Sequence, residues 1–324
     1  VVSVDAGGGG VSLQDPRDGP TVPPRRYRVS GVVPASPSSS VGLWAELGVA
    51  AIQWLWSGHN VNVLAYGETG TGKTHALLGA PDALLPRVLA SLVDRANATR
   101  DDVSLALSVF EVDGDIVVDL LRPPSDDATA ETRQHAVARA FATAEEALFA
   151  LEVARCASVA AGVDEDPHAT PPDRAGIGCD AWGRARSHVF VKVHVLNATA
   201  GWAACLHVVD TMGTRPPVPA HVNAVSSAAP REAVLERRSV SQTHLALSRM
   251  LSDLASRTSP SERPSLPSAR DSMLTQVLAP LLSSNAKSFF LVTVSPDAAD
   301  FHCTTASLRT AARMLAMACR VQPC

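Results

Sequence analysis

Residues 67–74 read Gly67-Glu68-Thr69-Gly70-Thr71-Gly72-Lys73-Thr74, a Gly-x-x-x-x-Gly-Lys-Thr run. Glycines at this spacing let backbone N–H groups turn inward around phosphate. A lysine there reaches the β- and γ-phosphates, and the following hydroxyl can ligate Mg²⁺. The run needs a buried strand in front of it and a helix behind it. Both are legible: Val61–Tyr66 is a compact apolar segment, and Thr74–Leu78 has helical character. The expected ligand is therefore ATP or ADP with Mg²⁺, held by residues 67–74 with Thr74 on the metal.

The rest of the chain alternates strand-like and helix-like segments. Val1–Asp5 and Val11–Leu13 flank the glycine run 7–10 as a hairpin, and Arg25–Val33 is a further extended stretch. Leu43–Trp56, Leu84–Asn97, Ala142–Ala160, Glu232–Ala255, Asp271–Leu282 and Thr304–Ala318 carry helical patterns. Val103–Val112, Ile116–Leu121, Val189–Leu196, Cys205–Val209 and Phe289–Val294 read as strands, while 163–178 and 215–230 read as loops rich in Pro. Such alternation predicts one α/β domain over 1–324, three layers deep, with a central mixed, mostly parallel sheet and helices on both faces.

Composition narrows the partners. Acidic residues outnumber basic ones, 32 to 28, so no global positive field points to nucleic acid. Only Lys73, Lys192 and Lys287 are lysines. The six cysteines form no Cys-x-x-Cys pair, which argues against a zinc site or a disulfide framework and fits a reducing, intracellular compartment. No apolar run approaches the roughly 20 residues that cross a bilayer, so direct membrane binding is not expected.

The longer string Asn60–His75 closely resembles the signature of the kinesin motor domain around its phosphate loop. The likeness extends along the chain. Phe110-Glu111-Val112 followed by Asp119-Leu120-Leu121, Arg186-Ser187-His188, Asp210-Thr211-Met212-Gly213, Arg270–Thr275, Asn285-Ala286-Lys287 and Ser307-Leu308-Arg309 match family landmarks in the family's order. The resemblance implies a kinesin-like P-loop fold, His75 stacking near adenine, Asp210 reaching Mg²⁺ through water, and tubulin as the family's partner. As read, the chain carries neither the family's first core strand, with its Arg-x-Arg-Pro motif, nor a neck or stalk.

Measured against that family, the switches are degenerate. Switch I, usually Asn-x-x-Ser-Ser-Arg-Ser-His, is Ala181 to His188 here, with Ala185 where a hydroxyl would approach Mg²⁺. Switch II, usually Asp-Leu-Ala-Gly-Ser-Glu, runs Asp210, Thr211, Met212, Gly213, Thr214, Arg215. The family's Arg–Glu latch would thus set Arg186 against Arg215, and like charges repel; Asp180 or Glu232 is the alternative source of an acid. Met273 and Gln276 stand where the family carries basic track-binding residues, and Ser241 replaces its Asn. Three readings follow. The first is a non-motile protein that keeps ATP or ADP with Mg²⁺ and serves as a structural or interaction subunit of a larger assembly. The others are an active microtubule ATPase with rewired switches and a nucleotide-free scaffold. The setting implied by the resemblance is cytoplasm, cytoskeleton or axoneme, with an organelle complex as the alternative.

Overall fold

The structure is a computed structural model that describes residues 2–5, 8–17, 22–36, 38–79, 82–122, 136–163, 187–214, 231–256, 267–283 and 286–318. Three short strands, β1 (Val2–Val4), β2 (Gly10–Leu13) and β3 (Arg25–Arg28), form a small antiparallel sheet. The expected hairpin is present, with Val2 opposite Leu13 and Val4 opposite Val11. Next come α1 (Ser39–Leu43), a π-helical turn (Trp44–Gly48) and α2 (Val49–Trp56). The π turn interrupts what reads in sequence as one helix. There the Trp44 ring lies where any Cβ on residue 48 would sit, 2.4 Å away, so Gly48 leaves the ring its place.

The remaining elements are β4 (Asn60–Gly67), α3 (Lys73–Leu77), α4 (Leu84–Ala98), β5 (Val103–Asp113), β6 (Ile116–Asp119), β7 (Arg139–Phe141), α5 (Ala144–Val163), β8 (His188–Asn197), β9 (Trp202–Asp210), α6 (Arg231–Ala255), α7 (Met273–Ser283), β10 (Ala286–Thr293) and α8 (Phe301–Ala318). The main sheet has the order β10-β4-β9-β8-β5-β6, with β7 beside β5. The sheet is mixed, as expected, but the expectation that it is mostly parallel is corrected. Only β10 with β4 and β4 with β9 run parallel. The pairs β9–β8, β8–β5, β5–β6 and β5–β7 are antiparallel. Short connections cause this: turns of a few residues join β5 to β6 and β8 to β9, and such turns can only reverse the chain. The strand β7 was not legible, because three residues give too short a pattern to read.

Strand alternation sorts side chains onto two faces, and each face has its own helices. Val61, Val63, Leu107, Val109, Val191, Val193 and Leu206 pack with Leu55, Leu89, Leu92 and Ala147 from α2, α4 and α5. Leu64, Tyr66, Phe190 and Val209 pack with Leu247, Met250, Leu251, Leu278 and Met314 from α6, α7 and α8. The small sheet is held to α8 through Val11, Leu13, Phe301 and Leu308. This is the three-layer α/β architecture read from the sequence.

The second face is not apolar along its whole length. Ser108, Lys192, His207, Asn62 and Ser288 fall on successive strands in one register, a polar rung across five strands. Asn62 Nδ2 donates to Ser288 Oγ (3.1 Å) and to Leu281 O (2.9 Å). His207 Nδ1 donates to Asn62 Oδ1 (3.1 Å). Asn62, His207 and Ser288 thus find partners on the sheet, as burial demands. Burial, aided by Lys192 and His194, holds the His207 pKa down at about 4.

Two measurements test this account. Leu247 is fully buried against the sheet, and Leu247→Ala should cost about 2–5 kcal/mol in urea unfolding. Because the His207 pKa is depressed on folding, the unfolded chain takes up a proton between the ordinary value of 6.5 and about 4 while the folded chain does not. Stability contributed by the neutral ring is present above that window and is lost as pH falls through it, by up to about 3 kcal/mol. His207→Gln should flatten that part of the pH–stability curve.

Candidate functional site

The sheet's two parallel pairings fix the site. Gly67, Asp210 and Thr293 end three adjacent strands, with Ala65 in register with Asp210 and Gly67 with Thr293. Residues leaving β4 and β9 therefore emerge side by side at one edge of the sheet. From there the chain turns through 68–72, where Gly70 (φ 80°) and Gly72 (φ 92°) occupy the left-handed region that favours glycine. The predicted helix follows as α3, one residue earlier than read and only five residues long.

Within the loop, Lys73 is buried and its Nζ donates to Glu68 O (2.7 Å) and Gly67 O (3.2 Å). Thr71 Oγ1 donates to Glu68 O (2.7 Å) and shares a hydrogen bond of 2.6 Å with Thr293 Oγ1. Thr74 Oγ1 donates to Asp210 Oδ2. Glu68 is buried, Thr69 half-buried, and Gly70 and His75 exposed. The structure thus brings Thr74 and Asp210 together and sets Lys73 in the same loop.

Residues 210–214 lie directly on that loop. Thr211 Oγ1 donates to Ala65 O (2.7 Å), and the Thr214 N–H to Gly67 O (3.2 Å). Gly213 approaches Thr69 so closely that a Cβ on it would lie 2.6 Å from the Thr69 N and Cα atoms and 1.9 Å from Oγ1. Ser187 and His188 are buried at the start of β8, and the Met212 N–H donates to His188 Nδ1 (3.1 Å). Burial, with His244 and Lys73 nearby, pushes the His188 pKa well below its ordinary value. His244 is held at about 4 by burial, opposed by its bond to Gly213 O and helped by Lys73. Both rings are neutral near pH 7.

Several positions singled out in the sequence lie outside the described residues: Arg186 and Arg215 of the inverted latch, Ala185 beside it, and Asp180. Ser241, Arg270 and Gln276 are exposed and Met273 half-buried. Two contributors were not read from the sequence. Thr293 enters through the β10 register, and His244 occupies an ordinary position in a long helical pattern; neither gives a local signal.

The donor set suits a nucleotide with its metal. A hydroxyl and a carboxylate oxygen side by side are hard ligands of the kind Mg²⁺ prefers. The lysine ammonium sits within the same loop, although it is satisfied there by two carbonyls. Among the described residues there is no cluster of three or more His, Cys, Asp or Glu able to hold a metal. No described helix is long and apolar enough to cross a membrane.

Comparison with known proteins agrees with the fold and the motifs. Human kinesin-like protein KIFC2 is 29% identical over 312 residues, covering 92% of this chain and 35% of the relative. Human kinesin-like protein KIF13B is 26% identical over 280 residues, covering 82% of this chain and 15% of the relative. The chain thus spans well under two thirds of the length of these relatives. Among solved structures, a C-terminal motor and motor homology domain of Kar3Vik1 superposes with a TM-score of 0.71 at 21% identity, covering 97% of this chain and 79% of the other. The Drosophila kinesin family member Kin10/NOD, in complex with divalent manganese and ADP, superposes at 0.67 and 19% identity, covering 98% and 93%. The kinesin motor domain profile matches residues 32–317, and with the phosphate loop, the ordered landmarks and the three-layer sheet already in place, the chain belongs to the kinesin motor-domain family.

Proposed function

We propose that this domain binds ADP or ATP with Mg²⁺ at residues 67–74 and works as a non-motile, interaction-bearing subunit of a larger assembly. The observation that carries the binding half is the Thr74–Asp210 contact beside Lys73, a metal-and-phosphate donor set assembled from the start of α3 and the end of β9. The manganese and ADP held by the Drosophila relative lend support from within the family. When bound, the metal would supply positive charge that offsets that of the phosphates. Thr74 and Asp210 would orient it, and Lys73 would exchange its carbonyl contacts for phosphate.

The non-motile half rests on chemistry the sequence lacks. Hydrolysis in a P-loop enzyme is almost entirely positioning and charge stabilisation. Ala185 brings a methyl group where the family has a hydroxyl, and Arg215 brings a positive charge where it has a carboxylate. Loss of single stabilising donors costs about a hundredfold or more in other enzymes, so several losses together leave turnover negligible. Microtubules remain the family's partner, but Met273 and Gln276 in place of basic residues weaken the attraction to an acidic track.

A nucleotide-free scaffold is the second reading, favoured by one observation. Lys73 already satisfies two loop carbonyls and Gly213 is packed on Thr69, so the loop is internally satisfied.

Titration with fluorescent ADP in the presence of Mg²⁺ separates these readings. Saturable binding is expected. At a hundredfold excess over Kd it should raise unfolding stability by about 2.7 kcal/mol. Lys73→Ala should weaken binding by about tenfold or more, the loss of a charge-assisted hydrogen bond. Gly213→Ala should weaken it as well, because the added methyl must displace Thr69. Absence of binding would favour the scaffold. Phosphate release should stay at the protein-free rate with or without microtubules; stimulated release abolished by Lys73→Ala would establish instead an ATPase with rewired switches.

A further inference from the structure

Away from the phosphate loop, the hairpin of β8 and β9 sets a thiol against an imidazole. The register that pairs Lys192 with His207 also pairs His194 with Cys205. His194 Nδ1 lies 3.8 Å from Cys205 Sγ, and His194 Nε2 lies 3.2 Å from Ser108 Oγ on β5. Cys205 and Asp210 are five residues apart on β9, roughly 16 Å along an extended strand, so this cluster is distinct from the nucleotide site. Motif spacing does not find it, because register rather than sequence separation joins residues 194 and 205.

As a hydrogen bond the contact is weak, since a thiol is a poor donor and acceptor. As a pair of ligands it is well placed. Cys205 is a free thiol. Both side chains are half-buried, and the next row toward the end of the sheet, Ser104, Leu196 and Ala203, is exposed. An ion can therefore reach the pair from solvent. Ser108 is only 3% exposed and holds the ring from behind. An outer partner of this kind fixes the orientation and tautomer of a ligating histidine. With the Nε2 proton on Ser108 Oγ, the Nδ1 lone pair faces sulfur.

The chemistry of the pair selects the ion. Thiolate and imidazole suit soft and borderline metals, not Mg²⁺ or Ca²⁺. Metal bonds of about 2.3 Å to sulfur and about 2.0 Å to nitrogen span at most about 4.3 Å in a straight line. The separation of 3.8 Å thus admits a bridging ion with little movement of either strand. Two ligands fall short of the four that Zn²⁺ takes. His207, the next residue on this face of β9, is already engaged through Nδ1 with Asn62 Oδ1 (3.1 Å). Lys192 is close enough to act on both groups through its charge. A monovalent ion on a thiolate leaves the site neutral, whereas a divalent ion would leave a positive charge facing that ammonium.

We propose that Cys205 and His194 form a two-coordinate site for a soft monovalent cation of the Cu(I) class, with Ser108 as the residue that positions the imidazole. On loading, the thiol gives its proton to solvent, a sulfur–metal bond forms and Nδ1 supplies the second bond, with no change of oxidation state. The ion staples β8 to β9 at the end of the sheet remote from the phosphate loop. The site is independent of the nucleotide reading.

Site-resolved alkylation tests it. The full chain would be treated with iodoacetamide under anaerobic conditions, with free Cu(I) set by a competing chelator, and each cysteine followed by peptide mass spectrometry relative to its own metal-free rate. Cys156, exposed on α5, is the internal control. In the wild type, Cys205 should be protected at a free Cu(I) concentration about a hundredfold lower than Cys156, because its second ligand binds intramolecularly. His194→Ala should erase that advantage. Ser108→Ala should weaken protection by about tenfold or more, the usual cost of losing an outer partner. Zn²⁺ at matched free concentration should not favour Cys205. Equal protection of the two cysteines in the wild type overturns the site, and that comparison needs no variant to fold. Protection of Cys205 that survives His194→Ala overturns it as well, and preferential protection by Zn²⁺ overturns the monovalent assignment.

Discussion

The parallel registration of β4 between β9 and β10 is the constraint on which the site depends. Pairing Ala65 with Asp210 and Gly67 with Thr293 brings three chain segments, far apart in sequence, to one edge of the sheet. Thr74 finds Asp210, Thr71 finds Thr293, and Thr211 caps Ala65 O without any of these contacts being encoded locally. Because a shift of one residue would send every side chain of a strand to the opposite face, both hydrophobic layers hold this registration in place. Val63 on one face and Leu64 on the other cannot exchange roles without exposing an entire stripe of core. The chemistry at the strand ends is stabilised by packing far from it.

The polar rung qualifies that picture. At its lower end the sheet substitutes Asn62, His207 and Lys192 for the aliphatic residues that fill the same face nearer the phosphate loop. Hydrogen bonds replace burial there, and one of them, Asn62 to Leu281 O, reaches the end of α7. The helix is thereby tied to β4 by a directional contact as well as by Leu274 and Leu278. A hydrogen bond fixes position more sharply than apolar contact does, which suits an element whose strand leads straight into the loop.

Much of the architecture was legible from the sequence, since it lies in local patterns. Apolar runs gave the strands, helical spacing gave the long helices, and the loop 67–74 gave its own position in the fold. What was not legible is non-local. The direction of β8 and β9 follows from the short turn at 198–201, and the generic prior of strand–helix alternation misled about it. The π turn at Trp44–Gly48 depends on how one tryptophan packs. At the site, glycines, Lys73, Thr74 and Asp210 could be read from spacing and family order, whereas Thr293 and His244 become part of it only through register and helix phase. A histidine in a helix carries no mark in sequence to say that it faces Gly213.

Scarcity of lysine takes on a meaning once the three are placed. Lys73 is buried in the phosphate loop, Lys192 is half-buried in the polar rung, and Lys287 is half-buried with its ammonium 4.5 Å from the centre of the Trp54 ring. Every lysine side chain in the sequence is thus engaged by the fold, and the exposed positive charge is carried by arginine, which amine-directed reagents do not touch. Acylation or cross-linking through side-chain amines would find Lys73 accessible as the structure opens, while Lys192 and Lys287 keep part of their surface in the native fold. For this domain, the amine reactivity of Lys73 is a gauge of foldedness.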